Sequence, residues 1–180
     1  MRKVNRAGTV DGMDDATDAE ARARARALSS PLRLRVLRLC RFEARTNKEL
    51  AELLEVNPGT MLHHVRALVD TGFLEAQPER AGARGAREVP YLATGRSWDA
   101  PMEDAPQVLL ETVRQQLAAA DPERVMFGWL GLRLNAENKA ELDRRVLALF
   151  DDYKDRGPDP DGEAYSLAVI TSPEVNPPGR

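Results

Sequence analysis

The chain has 180 residues, one cysteine and a formal net charge of −3. That length supports an apolar core without disulfides, and a single thiol, Cys40, excludes an intramolecular disulfide, a thiolate zinc cluster and an iron–sulfur centre. No apolar run approaches the roughly eighteen residues of a membrane span, and the first 20 residues lack the apolar core of a signal peptide, so the chain reads as cytoplasmic.

Charge is unevenly spread. Residues 1–19 carry a net −1, residues 20–95 a net +4 and residues 96–180 a net −6. A basic middle joined to an acidic tail suggests that the middle meets a polyanion. Of the 26 basic residues, 22 are Arg; codon bias in a GC-rich genome explains that more simply than selection for guanidinium chemistry.

Residues 1–15 show no periodicity and are expected to be disordered, with Met13 an alternative start. Thr17-Asp18-Ala19-Glu20 fits a capping box and predicts a helix to about Leu28. Ala19, Ala23 and Ala27 form a small-residue stripe on it. Ser30-Pro31 supplies an N-cap and a first-position proline for a helix over 31–44. Leu32, Val36, Leu39 and Cys40 recur on it at helical spacing. Thr46-Asn47-Lys48-Glu49 is a second capping box, opening a helix over 47–54 with Leu50, Leu53 and Leu54 on its buried edge. Asn57-Pro58 restarts the chain as a helix over 58–71, ended by Gly72.

Two helices within 47–71, joined by a turn of about three residues, make a helix-turn-helix. Residues 73–77 read as a strand and 88–93 as its return, with Pro90 implying an edge position. The loop 80–87 between them holds Arg80, Arg84, Arg87 and two glycines, and no acid. A hairpin with an arginine tip straight after a helix-turn-helix is a winged helix.

Residues 96–106 read as a linker and 107–173 as a separate dimerisation or effector module, with 174–180 a flexible end. Residues 107–120 predict a helix with Leu110, Val113 and Leu117 on one face. The run VMFGWLGLRL, 125–134, predicts a buried strand. Asn135 caps a predicted helix over 136–155, where Leu142, Val146, Leu149 and Tyr153 make a seam of coiled-coil spacing. Residues 165–170 predict a last strand. Trp98, Phe127, Trp129 and Tyr165 either fill a core or line a ligand pocket. The fold class is therefore α+β, mainly α: a winged helix-turn-helix over 16–95, then a helix-strand-helix-strand tail.

Within these elements, Leu28-Ser29-Ser30-Pro31-Leu32-Arg33-Leu34-Arg35-Val36-Leu37 resembles the L-x-x-P-x-R-x-x-I/V-L opening of ArsR-type winged-helix repressors. Residues 49–54, ELAELL, look like their first helix-turn-helix element. Residues 60–68, TMLHHVRAL, followed by Gly72-Phe73-Leu74, are similar to their recognition helix and its exit. The likeness covers about residues 18–95. It implies a bacterial homodimeric transcription regulator that binds a near-palindromic site on double-stranded DNA, its flanking helices forming the dimer. The family's metal-sensing members place a Cys-x-Cys pair about where this chain has Thr46-Asn47-Lys48, and others use histidines after the wing. Both features are missing here, so no metal is expected.

On the helix 58–71, Met61, Leu62, Val65, Leu68 and Val69 share one face at 100° per residue. Gly59, Thr60, His63 and Arg66 lie opposite, with Asn57 just before the helix. Thr60, His63 and Arg66 are expected at base edges or phosphates of the major groove. His64 sits at the core boundary, where bonding to nearby backbone competes with a DNA contact. Adjacent histidines on a helix diverge and rarely share one ion. Arg80, Arg84 and Arg87 are candidates for phosphate or minor-groove contact, and Arg45 and Lys48 for phosphate.

Enzyme readings lack parts: there is no phosphate loop, no His–Glu zinc motif and no G-x-S-x-G. The acidic residues at 159–163 lack the calcium-loop pattern, and no cofactor is expected. Two alternatives stay open. One is a winged-helix interaction or dimerisation module without DNA binding. The other is a regulator that takes a small-molecule effector in its C-terminal module.

Overall fold

The computed structural model describes residues 11–82 and 86–174 of the chain. The chain divides into two compact units, residues 1–119 and 120–180.

The first unit begins with helix α1, Asp11–Leu28. The helix starts six residues before the Thr17 capping box, inside the stretch expected to be disordered; residues 1–10 lie outside those described. A cap signature marks where a helix can start and does not stop one already running. Only the end of α1 enters the core: Ala25, Ala27 and Leu28 are buried, while Ala19 and Ala23 are exposed. Arg33 closes this helix. Its Nε donates to the Ala27 carbonyl and its Nη2 to that of Arg26 at 2.6 Å, placing a cation on the last carbonyls.

Helix α2, Pro31–Leu39, starts as expected from the Ser30 cap but ends five residues short of 44. Cys40 leaves the helix, and its carbonyl accepts the Ala93 N–H at 2.8 Å. That bond draws residues 40–46 toward the sheet. Strand β1, Arg45–Thr46, then leads into helix α3, Asn47–Leu53. The capping box is complete: the Thr46 hydroxyl accepts from the Glu49 N–H at 3.2 Å, and a Glu49 carboxylate oxygen accepts from the Thr46 N–H at 2.7 Å.

The turn to the next helix is a Schellman motif. The Val56 N–H donates to the Ala51 carbonyl at 2.9 Å and Glu55 N–H to Glu52 at 3.3 Å. Glu55 holds the left-handed position, φ +53°, that glycine more often takes. Helix α4, Pro58–Asp70, ends in a second such motif. There Gly72 has φ +73°, its N–H donates to Val69 at 2.9 Å, and the Phe73 N–H donates to Leu68 at 2.8 Å.

Strands β2, Leu74–Ala76, and β5, Pro90–Ala93, pair antiparallel, and β1 joins the other side of β5. The order is β1-β5-β2, so Pro90 lies on the central strand and not at an edge. It is tolerated as the first residue of β5; its carbonyl still accepts the Gln77 N–H at 2.8 Å. Strands β3, Arg80–Ala81, and β4, Arg87–Glu88, continue the hairpin as a separate two-stranded wing.

The core gathers Leu28, Val36, Cys40, Leu50, Met61, Val65, Leu68, Phe73 and Leu74, all essentially inaccessible. It joins α1–α4 to the sheet. Cys40 is part of it, and burial pushes its thiol up to about 11, which keeps it unreactive. Leu53, expected in the core, is half exposed; Leu50, Ala51 and Leu54 are the buried edge of α3.

Helix α5, Ala105–Ala118, packs on α2 and belongs to this first unit, although the sequence reading put it in the tail. It buries Thr112, whose hydroxyl donates to the Val108 carbonyl at 2.7 Å. Leu109, Leu110 and Leu117 face outward.

The second unit holds a 3-10 turn at Pro122–Arg124 and helix α6, Ala136–Lys154, capped by Asn135 as expected. The predicted strands at 125–134 and 165–170 do not form: among the described residues of this unit there is no strand. Both segments run without strand partners. No residue described in the unit is fully buried. The fold class, α+β and mainly α, holds; the strands of the tail do not.

Candidate nucleic-acid interface

The features that fix α4 also orient its outer face. Asn57 accepts the Gly59 N–H on its side-chain oxygen at 2.8 Å, and Pro58 occupies the first turn. Asn47 of α3 donates to the Pro58 carbonyl at 3.0 Å, so the start of α4 is tied to the preceding helix. Met61, Val65 and Leu68 anchor the inner face with no accessible surface. Thr60, His63 and Arg66, each about one turn after the last, are exposed on the opposite side. This is the row expected from the sequence, and it stands on a helix fixed at both ends.

Asn57 and Gly59 are exposed beside that row, but the Asn57 oxygen is committed to the cap. Lys48 is exposed on α3. Arg45 is engaged within the chain. Its Nε donates to the Leu39 carbonyl at 3.2 Å and its Nη2 pairs with Glu43 at 2.7 Å.

His64 departs from expectation. Its ring meets that of His63 edge-on, with centroids 5.8 Å apart, yet its buried Nδ1 has no hydrogen-bond partner. The expected bond to neighbouring backbone is not made. Burial, then the Arg33 and His63 charges, hold its pKa below the ordinary imidazole value, so the ring is neutral at pH 7. A basic group depressed in the folded state stabilises the fold above its unfolded pKa, about 6.5. That contribution is lost as pH falls through this value toward the folded one. His64→Leu is therefore expected to flatten the fall in melting temperature between about pH 7 and pH 5. Thermal melts of both proteins across that window check this; parallel curves would contradict it.

The wing carries a feature not legible in residues 80–87. Arg80 pairs with Glu49 of α3, and Arg87 Nη1 pairs with Glu79 at 3.0 Å. The Thr46 backbone N–H is the main reason Glu49 titrates below the usual carboxylate range, and Arg80 adds to it. Both pairs are exposed and are worth little to stability, but the Arg80 pair joins the wing to the helix-turn-helix. Arg84 lies outside the described residues. Sequence spacing shows neither partner of these arginines as such, because Glu49 is 31 residues away and Glu79 sits just outside the loop.

Phe127, Trp129 and Tyr165 are exposed, neither filling a core nor lining a pocket, and Trp98 is half exposed. Among the described residues no helix is long and apolar enough to cross a membrane.

Residues 28–77 match the family profile described as "Helix-turn-helix domain". No curated protein matches the chain. Among solved structures, the homodimeric winged helix-turn-helix DNA-binding domain of Mb0332 from Mycobacterium bovis is 22% identical; the match covers 70% of this chain and 99% of that one, with a TM-score of 0.41. An ArsR-like transcriptional regulator from Rhodococcus sp. RHA1 is 22% identical, covering 78% and 99%, with a TM-score of 0.37. The adhesin competence repressor of Streptococcus pyogenes is 15% identical, covering 82% and 99%, again at 0.37. Helices α2–α4, the caps that join them and the hairpin that follows make residues 28–93 a winged helix-turn-helix, similar in its sequence pattern to the ArsR-type regulators.

Proposed function

We propose that the protein is a sequence-specific DNA-binding transcriptional regulator acting as a homodimer. Helix α4 enters the major groove and the wing lies on the adjacent backbone. The observation that carries this reading is the exposed row Thr60, His63 and Arg66 on a helix anchored on its opposite face by the inaccessible Met61, Val65 and Leu68 and capped at both ends. A hydroxyl and an imidazole ring each bring hydrogen-bonding groups to a base edge, and a guanidinium reaches a guanine or a phosphate. Lys48 adds a phosphate contact at the start of α3. The dimer forms through α1 and α5, whose outward faces present Ala19 and Ala23, and Leu109, Leu110 and Leu117.

The wing contributes charge rather than sequence reading. Arg80→Ala and Arg87→Ala should weaken binding to all sequences alike. Each lost phosphate contact should flatten the slope of log affinity against log salt by about 0.9. Titration of random duplex DNA at several salt concentrations checks this. Unchanged affinity and slope in the double variant would mean that the arginines serve only their glutamate partners.

Those pairs support a second reading, a winged-helix interaction module without DNA binding. Arg80 and Arg87 are neutralised within the chain, and the whole protein is acidic. Absence of any salt-dependent binding to random DNA would favour it.

A further inference from the structure

The wing is less basic than its arginines suggest. Residues 79–88 hold three arginines and two glutamates, and Glu49 of α3, which reaches the wing, brings the set to zero. Glu49 divides its two oxygens: Oε2 accepts the Thr46 N–H at 2.7 Å, and Oε1 accepts Arg80 Nη2. Glu79 accepts Arg87 Nη1 at 3.0 Å. The carboxylate of Glu88 folds over the hairpin. A Cβ at Gly82 would stand 2.4 Å from Glu88 Cδ, so the glycine leaves room for it.

Carboxylate and phosphate take a guanidinium in the same way, through charge-assisted bonds to its planar fork of N–H donors. A phosphate that approaches Arg80 or Arg87 therefore meets a fork already facing an oxyanion. It either displaces the carboxylate or lies beside it, where two like charges repel. Both routes subtract from what the arginine contributes to binding. The Glu49 pair should subtract more. The Arg80 and Glu49 side chains are 46 and 38% exposed, against 85 and 50% for Arg87 and Glu79, and solvent screens the second pair more fully. Glu49 is also held at the start of α3 by its cap.

We infer that Glu49 and Glu79 compete with DNA phosphate for the arginines of the wing, and so set how tightly the protein holds DNA of any sequence. Backbone attraction supplies essentially all of non-specific binding. Cancelling part of it within the chain leaves discrimination to the outer row of α4. The inference rests on the reading that the wing lies on DNA.

A double-mutant cycle on the full chain tests this, with random duplex DNA titrated at about 50 and 200 mM salt. Glu49→Gln keeps the capping box, which glutamine also completes, and removes the competing charge. Its gain in affinity should exceed the gain it brings in an Arg80→Ala background by about two- to fivefold. That excess should shrink at the higher salt. Loss of a negative charge favours DNA in either background, and only competition for Arg80 makes the first gain larger. Glu79→Gln, set against Arg87→Ala, touches no cap and should show a smaller excess of the same sign. Where Glu49→Gln leaves the melting temperature unchanged, equal gains with and without Arg80 would overturn the proposal, since the carboxylate then acts only as a distant charge. Where it lowers the melting temperature, equal gains with and without Arg87 would do so. Weaker binding by a fully folded Glu49→Gln would overturn it too, because the pair would then place the wing for DNA. The wild type judges the DNA-binding reading separately. Wild-type binding with equal gains sinks the competition alone. Binding that appears only when both glutamates are replaced sinks the reading of the native protein and leaves the competition standing. No binding by either protein sinks both.

Discussion

Phe73→Ala is expected to cost the winged helix about 3–5 kcal/mol. The ring has no accessible surface and sits where the recognition helix hands over to the sheet. Its N–H closes the end of α4 on Leu68 at 2.8 Å, and its carbonyl accepts the Thr94 N–H at 3.0 Å. The Arg24 guanidinium of α1 lies 5.5 Å from the ring centroid. The ring itself lies in the core cluster with Leu28 of α1, Leu68 of α4 and Leu74 of β2, so one side chain joins these elements. Truncation leaves a cavity that three elements must collapse to fill, against a total stability of about 5–15 kcal/mol for a domain. Phe73→Leu keeps most of the volume and should cost less than about 1.5 kcal/mol. Urea titrations of both variants, followed by helical circular dichroism, check the pair. Equal midpoints would mean that the ring does not hold these elements together.

The second large effect concerns binding. His63→Ala should cost about 1–3 kcal/mol on the protein's own operator and much less on random DNA. His63 is exposed, one turn after Thr60 and one before Arg66, and makes no core contact whose loss would disturb folding. Melting temperature should stay near wild type. His64 should behave differently, because its ring is partly buried with an unpaired Nδ1. Its replacement by leucine removes an unsatisfied polar atom and should leave the melting temperature level or raised at neutral pH. Operator and random-DNA titrations beside thermal melts separate the two. A stability loss at His63 without a change in the specificity ratio would mean that α4 presents a different face to DNA.

Features built from near neighbours were legible in the sequence. Ser30-Pro31, the Thr46–Glu49 box, Asn57-Pro58 and Gly72 each act within a few residues, and each bounds the helix it was expected to bound. The inner and outer faces of α4 follow from its period. What depended on distant partners was not legible. Pro90 proved central because β1, a two-residue strand 44 positions earlier, pairs with it. The neutralisation of Arg80 rests on Glu49, across the helix-turn-helix. In α5 the apolar stripe pointed to a buried face, yet Leu110 and Leu117 are exposed and Thr112 is buried; a hydroxyl that bonds its own helix costs little to bury. The run 125–134 was apolar enough for a buried strand, but burial needs a covering surface, and composition does not supply one.

The claim that α4 reads DNA sequence is tested most directly by selection of bound duplexes from a random pool with the full-length protein, followed by competition titration. The account predicts enrichment of two inverted half-sites about one helical turn apart, bound at least about a thousandfold more tightly than random DNA. That preference should be reduced by His63→Ala. A pool that stays random after repeated selection, with affinity for DNA no greater than that of an acidic protein lacking the winged helix, would contradict it.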